Sequence, residues 1–112
     1  MLKSKIHGAV ITSKDLRYNG SIGIDKAMLF KSDILAGEKV QVLNFNNGQR
    51  FEIYIIEEEE NLGIICLYGL AACLGEVGDK SCVILYALVS GDDILALKPV
   101  IVMIDDKNKV MQ

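Results

Sequence analysis

Few residues in this chain are equipped for chemistry. There is one histidine, His7, and there are three cysteines at positions 66, 73 and 82. The most unusual local sequence is Tyr18-Asn19-Gly20-Ser21, inside DLRYNGSIGID. Glycine presents an unhindered carbonyl carbon, and the hydroxyl of the following serine can reach it. Attack there exchanges an amide for an ester. Elimination from the ester leaves dehydroalanine, and hydrolysis of that leaves a pyruvoyl group. The same four residues also read as an ordinary turn, since Asn-Gly is turn-forming. They fit the N-x-S glycosylation pattern as well, which needs a secretory context. A Gly-Ser pair alone does not separate these readings.

Two further groupings follow from alternation along strands. Lys5 and His7 share one face of the first apolar segment, with Ile6 on the other. Arg50, Glu52 and Tyr54 share one face of a later segment, with Phe51, Ile53 and Ile55 opposite. Polar faces on two strands can converge on an anionic ligand, and they can equally be plain solvent faces. The cysteine spacing matches no zinc or redox motif, so no metal is expected. Cys66 and Cys82 lie in apolar runs and read as buried small hydrophobes. An odd set of unpaired thiols fits a reducing, cytoplasmic compartment.

The elements that must position these residues are mostly strands. Segments 2–11, 39–46, 50–57, 63–68, 81–90 and 99–105 are rich in Val, Ile, Leu, Phe and Tyr. Asn47-Gly48 signals a tight hairpin with both central residues at positive φ. Asp25 is placed to cap a short helix over 26–32, and 71–74 suits one more helical turn. Pro99 puts the last strand at an edge or at its own start. The acidic run Glu57–Glu60 reads as a solvated turn. Six or so short strands with one or two short helices predict a mainly β fold, a small closed barrel.

Composition bounds the rest. A chain of 112 residues is one domain, 1–112, with 51% hydrophobic and 24% charged residues, which marks a folded globular protein. A formal net charge of −3 and the lack of a basic cluster argue against nucleic acid as a partner. The longest apolar runs, 82–89 and 99–104, fall far short of the ~18 residues a membrane helix needs. The N-terminal stretch shows no signal peptide.

One resemblance draws these residues together. The stretch KIHGAVITSKDLRYNGSIGID resembles the N-terminal region of the pyruvoyl-dependent aspartate 1-decarboxylases. The likeness continues through NNGQRFEIY, through YGLAAC at 68–73 and through GEVGDKSCVILYA at 75–87, nearly end to end and in register. It implies a six-stranded double-psi β-barrel and a homotetramer with sites between subunits. It also implies self-cleavage at Gly20-Ser21 into residues 1–20 and 21–112, with Ser21 becoming the pyruvoyl cofactor. Lys5 and Arg50 match positions that hold substrate carboxylate, and Tyr54 matches the proton donor. Gly69, Leu70 and Ala71 match a substrate-binding stretch. His7, Tyr18 and Tyr68 match residues lining the site. The implied reaction condenses L-aspartate with the pyruvoyl ketone as a Schiff base and yields β-alanine and CO2, for pantothenate and coenzyme A synthesis. An accessory maturation protein is compatible with the resemblance.

The chain departs from the family pattern at two places. Ile53 stands where threonine is usual, and Tyr68 where asparagine is usual. An isoleucine cannot donate a hydrogen bond to a developing oxyanion, and losing one such donor costs ~10²-fold or more in rate. Two other readings therefore stay open at this point: an unprocessed, non-catalytic barrel binding a small anion or a protein, and a pyruvoyl decarboxylase with a different acidic amino-acid substrate.

Overall fold

The computed structural model describes residues 1–111. Its strands are β1 (Leu2–Val10), β2 (Ser13–Asp15), β3 (Ser21–Asp25), β4 (Lys39–Asn44), β5 (Arg50–Glu58), β6 (Ile65–Tyr68), β7 (Lys80–Tyr86) and β8 (Val100–Met103). A helix, α1 (Lys26–Ser32), follows β3, and short 3₁₀ segments cover Gly69–Leu74 and Gly91–Asp93. The strands pair in the order β2-β6-β3-β5-β4-β7-β1-β8. That mainly β arrangement is consistent with the small barrel expected. β8 is last in the order and begins just after Pro99, as the sequence suggested.

Two strands were not foreseen. β2 is only three residues long. β3 carries Ser21 and Gly23, which look turn-like, yet all five of its residues are buried. β3 pairs with β6, antiparallel, and β5, parallel. Both its faces are covered as well: Ile22 and Ile24 enter the core, and Glu58 packs over Gly23 on the other face. A strand covered on both faces need not alternate. The expected strand 81–90 ends at Tyr86, where the chain leaves for the 3₁₀ turn at Gly91–Asp93.

β5 joins the two halves of the sheet. Its first part, Arg50–Tyr54, pairs antiparallel with β4, and its second part, Ile55–Glu58, pairs parallel with β3. Ile6, Ile22, Ile24, Val42, Ile65, Leu67 and Val83 meet inside, each with 0% exposure. Each large aliphatic side chain buried in this way contributes about 1.5–3 kcal/mol.

Local chemistry sets the ends of the elements. The Asp25 carboxylate accepts from the Ala27 amide at 2.8 Å, so it caps α1 as predicted. It also accepts from the amides of Asn61 (3.0 Å) and Gly63 (2.8 Å), tying the helix start to the loop between β5 and β6. The hairpin between β4 and β5 corrects the sequence reading. Gly48 has φ of 75°, but Asn47 is not in the left-handed region. The loop spans Phe45–Gly48, closed by Asn44 N–H to Gln49 O at 2.8 Å and Gly48 N–H to Asn44 O at 3.0 Å. The reason is the Asn44 side chain, whose Oδ1 accepts from the Asn46 amide at 2.8 Å and so builds a wider turn.

Candidate active site

Ser21 opens β3 and is 3% exposed. Its Oγ donates to the carbonyl of Asn19 at 3.2 Å, so the hydroxyl lies back over the residues that precede it. Beside it is an open cavity of about 600 Å³, lined by Tyr18, Ser21, Tyr54, Ile56, Cys66 and Tyr68 among others. Register explains the convergence. Ser21 lies directly opposite Tyr68 on β6, and Gly23 opposite Cys66. Tyr54 and Ile56 occupy alternate positions of β5, on the other side of β3. Gly20 borders a second depression of about 470 Å³, lined also by Lys39, Glu52, Ile53 and Tyr54. The Gly20–Ser21 bond thus separates two hollows, and Tyr54 lines both.

The surroundings of the junction are tight. The Tyr18 ring meets Tyr68 edge-on, with centroids 5.4 Å apart and planes at 84°. Gly69 has φ of 64°, and a Cβ there would fall 2.6 Å from the Tyr18 carbonyl oxygen and 2.7 Å from the Gly20 nitrogen. Only glycine allows that approach. A Cβ on Gly20 would lie 3.4 Å from Ile53 Cδ1, so Ile53 flanks the junction where the sequence comparison placed a hydroxyl in the family pattern. The Tyr68 hydroxyl donates to Glu58 Oε2 at 2.5 Å. That bond, with burial and the nearby Cys66 thiol behind it, pushes the Tyr68 pKa above the ordinary tyrosine range.

Lys5, His7 and Arg50 are not among the residues lining either hollow. They share a different patch of the same sheet. His7 pairs with Cys82, Cys82 with Leu43, and Leu43 with Arg50, so His7 and Arg50 lie in one cross-strand row. Lys5 lies two rows away, beyond the row of Ile6, through Ile84 and Gln41 to Glu52. Three strand spacings separate the ends of each row, about 14 Å. Arg50 is four residues from Tyr54, about 13 Å along β5. Strand alternation thus grouped these side chains on one face, as expected, but in a single chain they do not close on Ser21. The His7 ring packs on Phe45 at the hairpin, with centroids 5.2 Å apart. Burial pushes the Cys82 thiol up, and the Lys5 ammonium opposes this.

The stretch after Tyr68 divides by role. Gly69 braces the junction backbone, Leu70 is 81% exposed, and Ala71 is 3% exposed within the core. Sequence reasoning missed Glu58, Cys66, Ile56 and Phe45. Glu58 belonged to the run read as a solvated turn, yet β5 continues one residue past the expected end at 57 to include it, and Glu58 is half-buried. The signal was available, because the alternation of Arg50, Glu52 and Tyr54 extends to Ile56 and Glu58. Among the described residues, no group of three or more His, Cys, Asp or Glu side chains is placed to hold a metal ion. No helix of the described residues is long and apolar enough to cross a membrane.

Comparison with known proteins adds an independent line. The family model for aspartate decarboxylase matches residues 1–111. The Aspartate 1-decarboxylase of Thermoanaerobacter pseudethanolicus is 49% identical over 109 residues, covering 97% of this chain and 93% of that protein. The protein of the same name from Clostridium botulinum is 47% identical, covering 98% of this chain and 87% of its own length. That of Bacillus cytotoxicus is 43% identical, covering 100% and 88%. Matches of this extent, on a chain whose Gly20–Ser21 junction lies between two tyrosine-lined hollows, mean that it belongs to the aspartate decarboxylase family.

Proposed function

We propose that this chain decarboxylates L-aspartate to β-alanine and CO2, using a pyruvoyl group that it makes from its own Ser21. The observation that carries the reading is the junction itself. A buried serine follows a glycine at a strand start, with its hydroxyl turned back toward the upstream backbone and a cavity beside it. In the processing step, Ser21 Oγ bonds to the Gly20 carbonyl carbon, the Gly20–Ser21 C–N bond breaks, and the Oγ proton passes to the freed nitrogen. Loss of the Ser21 Cα proton and of Gly20 as a carboxylate leaves dehydroalanine. One water then replaces the nitrogen, which leaves as ammonia. Residues 1–20 and 21–112 result. A pyruvoyl group keeps the three carbons of serine, so it fits where Ser21 already lies. It supplies an electron sink for the carbon that loses CO2, the task pyridoxal phosphate performs elsewhere.

The chain's own residues do the rest. Arg50 offers a planar fork that binds a carboxylate bidentately, and Lys5 adds a compact positive charge. His7 lies in the same row as Arg50, at its other end, and packs on Phe45. The Tyr54 hydroxyl supplies the proton to the carbon that has lost CO2. Because Arg50 and Lys5 lie away from Ser21 within one chain, a second copy supplies cationic side chains to each Ser21 cavity. This supports sites between subunits, as in the homotetramer that the resemblance implies. The product serves pantothenate and coenzyme A synthesis, and the compartment is the cytoplasm.

Intact-mass spectrometry of the purified protein tests the reading. The expected result is two chains cut after Gly20, the longer one lighter by one ammonia than a simple hydrolysis product, with β-alanine formed from aspartate. A chain that stays whole on prolonged incubation and forms no β-alanine sinks it. Two observations favour a second reading, an unprocessed barrel that binds a small anion or a protein. Ile53 offers no hydrogen bond at the junction, and the Tyr68 proton is committed to Glu58. Quantitative conversion of Ser21 rules that reading out. A substrate longer than aspartate is tested by comparing turnover of aspartate and glutamate, with aspartate expected to be preferred.

A further inference from the structure

The geometry points to Glu58 as a positioning residue for cleavage of the Gly20–Ser21 bond, acting through Tyr68. The inference rests on the self-cleavage reading above. Glu58 and Ser21 occupy different levels of the sheet: Glu58 pairs with Asp25, four residues along β3 from Ser21. Tyr68 bridges that gap. Its backbone lies directly opposite Ser21, while its hydroxyl reaches Glu58 Oε2 at 2.5 Å. The carboxylate lies over Gly23, where a Cβ would fall 1.9 Å from Oε2 and 2.7 Å from the carboxyl carbon. The bare glycine leaves the room that the Glu58 carboxylate fills in reaching the phenol. A hydrogen bond to an ionised oxygen is shorter and about twice as strong as a neutral one.

The other side of Tyr68 faces the junction. Its ring meets Tyr18 edge-on at 5.4 Å, and the next residue, Gly69, abuts the Tyr18 carbonyl and the Gly20 nitrogen and Cα. Glu58 therefore anchors the far end of a brace whose near end holds residues 18–20. The acyl shift needs Ser21 Oγ aligned on the Gly20 carbonyl carbon, roughly 3–3.5 Å away. A displacement near 1 Å costs about 10²-fold in rate. With Ile53 providing no hydrogen bond at the junction, alignment of the scissile peptide carries more of the rate. Glu58 touches none of the reacting atoms, so its effect on cleavage must pass through Tyr68.

Time courses of precursor cleavage, followed by intact mass, decide the matter for wild type, Glu58→Ala, Glu58→Gln, Tyr68→Phe and the Glu58→Ala/Tyr68→Phe pair. Thermal melts run in parallel identify any variant that fails to fold. The expected result is that Glu58→Ala and Tyr68→Phe each slow cleavage by about 10-fold or more. Glu58→Gln, whose amide oxygen still accepts from the phenol, restores most of the rate. The double variant is no slower than Tyr68→Phe alone, the mark of an effect transmitted through one hydrogen bond. Wild type that cleaves while folded Glu58→Ala keeps pace overturns the inference alone. So does additive slowing in the double variant. Wild type that stays whole overturns the self-cleavage reading, and this inference with it.

Discussion

Tyr54 borders the hollows on both sides of the Gly20–Ser21 bond, yet its proposed task begins only after that bond is cut. Tyr54→Phe should therefore separate maturation from turnover. Cleavage into 1–20 and 21–112 is expected to proceed, while kcat falls by about 10²-fold or more through loss of the proton donor. Intact mass and β-alanine formation read the two effects on one sample, and an unchanged kcat would remove Tyr54 from its role. Tyr68 makes a different prediction. Its phenol is held protonated by the bond to Glu58, above all, and by burial. A raised folded pKa means the stabilisation is fully present below the ordinary tyrosine value, about 10. It is lost as pH climbs beyond that value. Urea midpoints of wild type and Tyr68→Phe should differ most at neutral pH and converge in strong alkali. A gap that widens with pH would contradict this. Alternation made Lys5 with His7 and Arg50 with Tyr54 legible as pairs. Glu58 escaped because three neighbouring glutamates disguised its place in the same alternation.

At the scale of elements, what was legible was local. The Asp25 cap could be read because a capping side chain and its amide lie two residues apart. Asp25 also holds the amides of Asn61 and Gly63, which no local pattern announces. Asp25→Ala should then cost more than an ordinary cap, above the typical ~1 kcal/mol. Thermal melts should show it, and hydrogen exchange at Asn61 and Gly63 should accelerate as well. Protection left intact at those two amides would mean the carboxylate does not hold the loop. β3 could not be read from Ser21-Ile22-Gly23-Ile24-Asp25, because its strand character comes from β5 and β6, more than thirty residues downstream. The hairpin misled for the opposite reason. Asn47-Gly48 carries a strong signal, but the Asn44 side chain just before it imposes its own turn.

For the whole molecule, the strand order was beyond local reading, and with it the separation of Arg50 from Ser21. That separation predicts complementation. Ser21→Ala chains lack the serine but keep Lys5 and Arg50, and Arg50→Ala chains keep the serine but lack the fork. Each alone should be nearly inactive, and the two chains co-expressed in one cell should regain decarboxylation if subunits share sites. A co-expressed pair as inactive as its parts would confine the site to one chain. A last consequence comes from β1, which lies between β7 and β8 and buries Ile6 and Ala9 completely. Under the proposed cut at Gly20–Ser21, this strand would belong to a separate peptide held only by packing and hydrogen bonds. The precursor can fold as one molecule at any dilution, whereas the cut protein must reassemble from two. Its lifetime is then governed by how rarely β1 escapes, and a dilute sample that unfolds once is expected not to return.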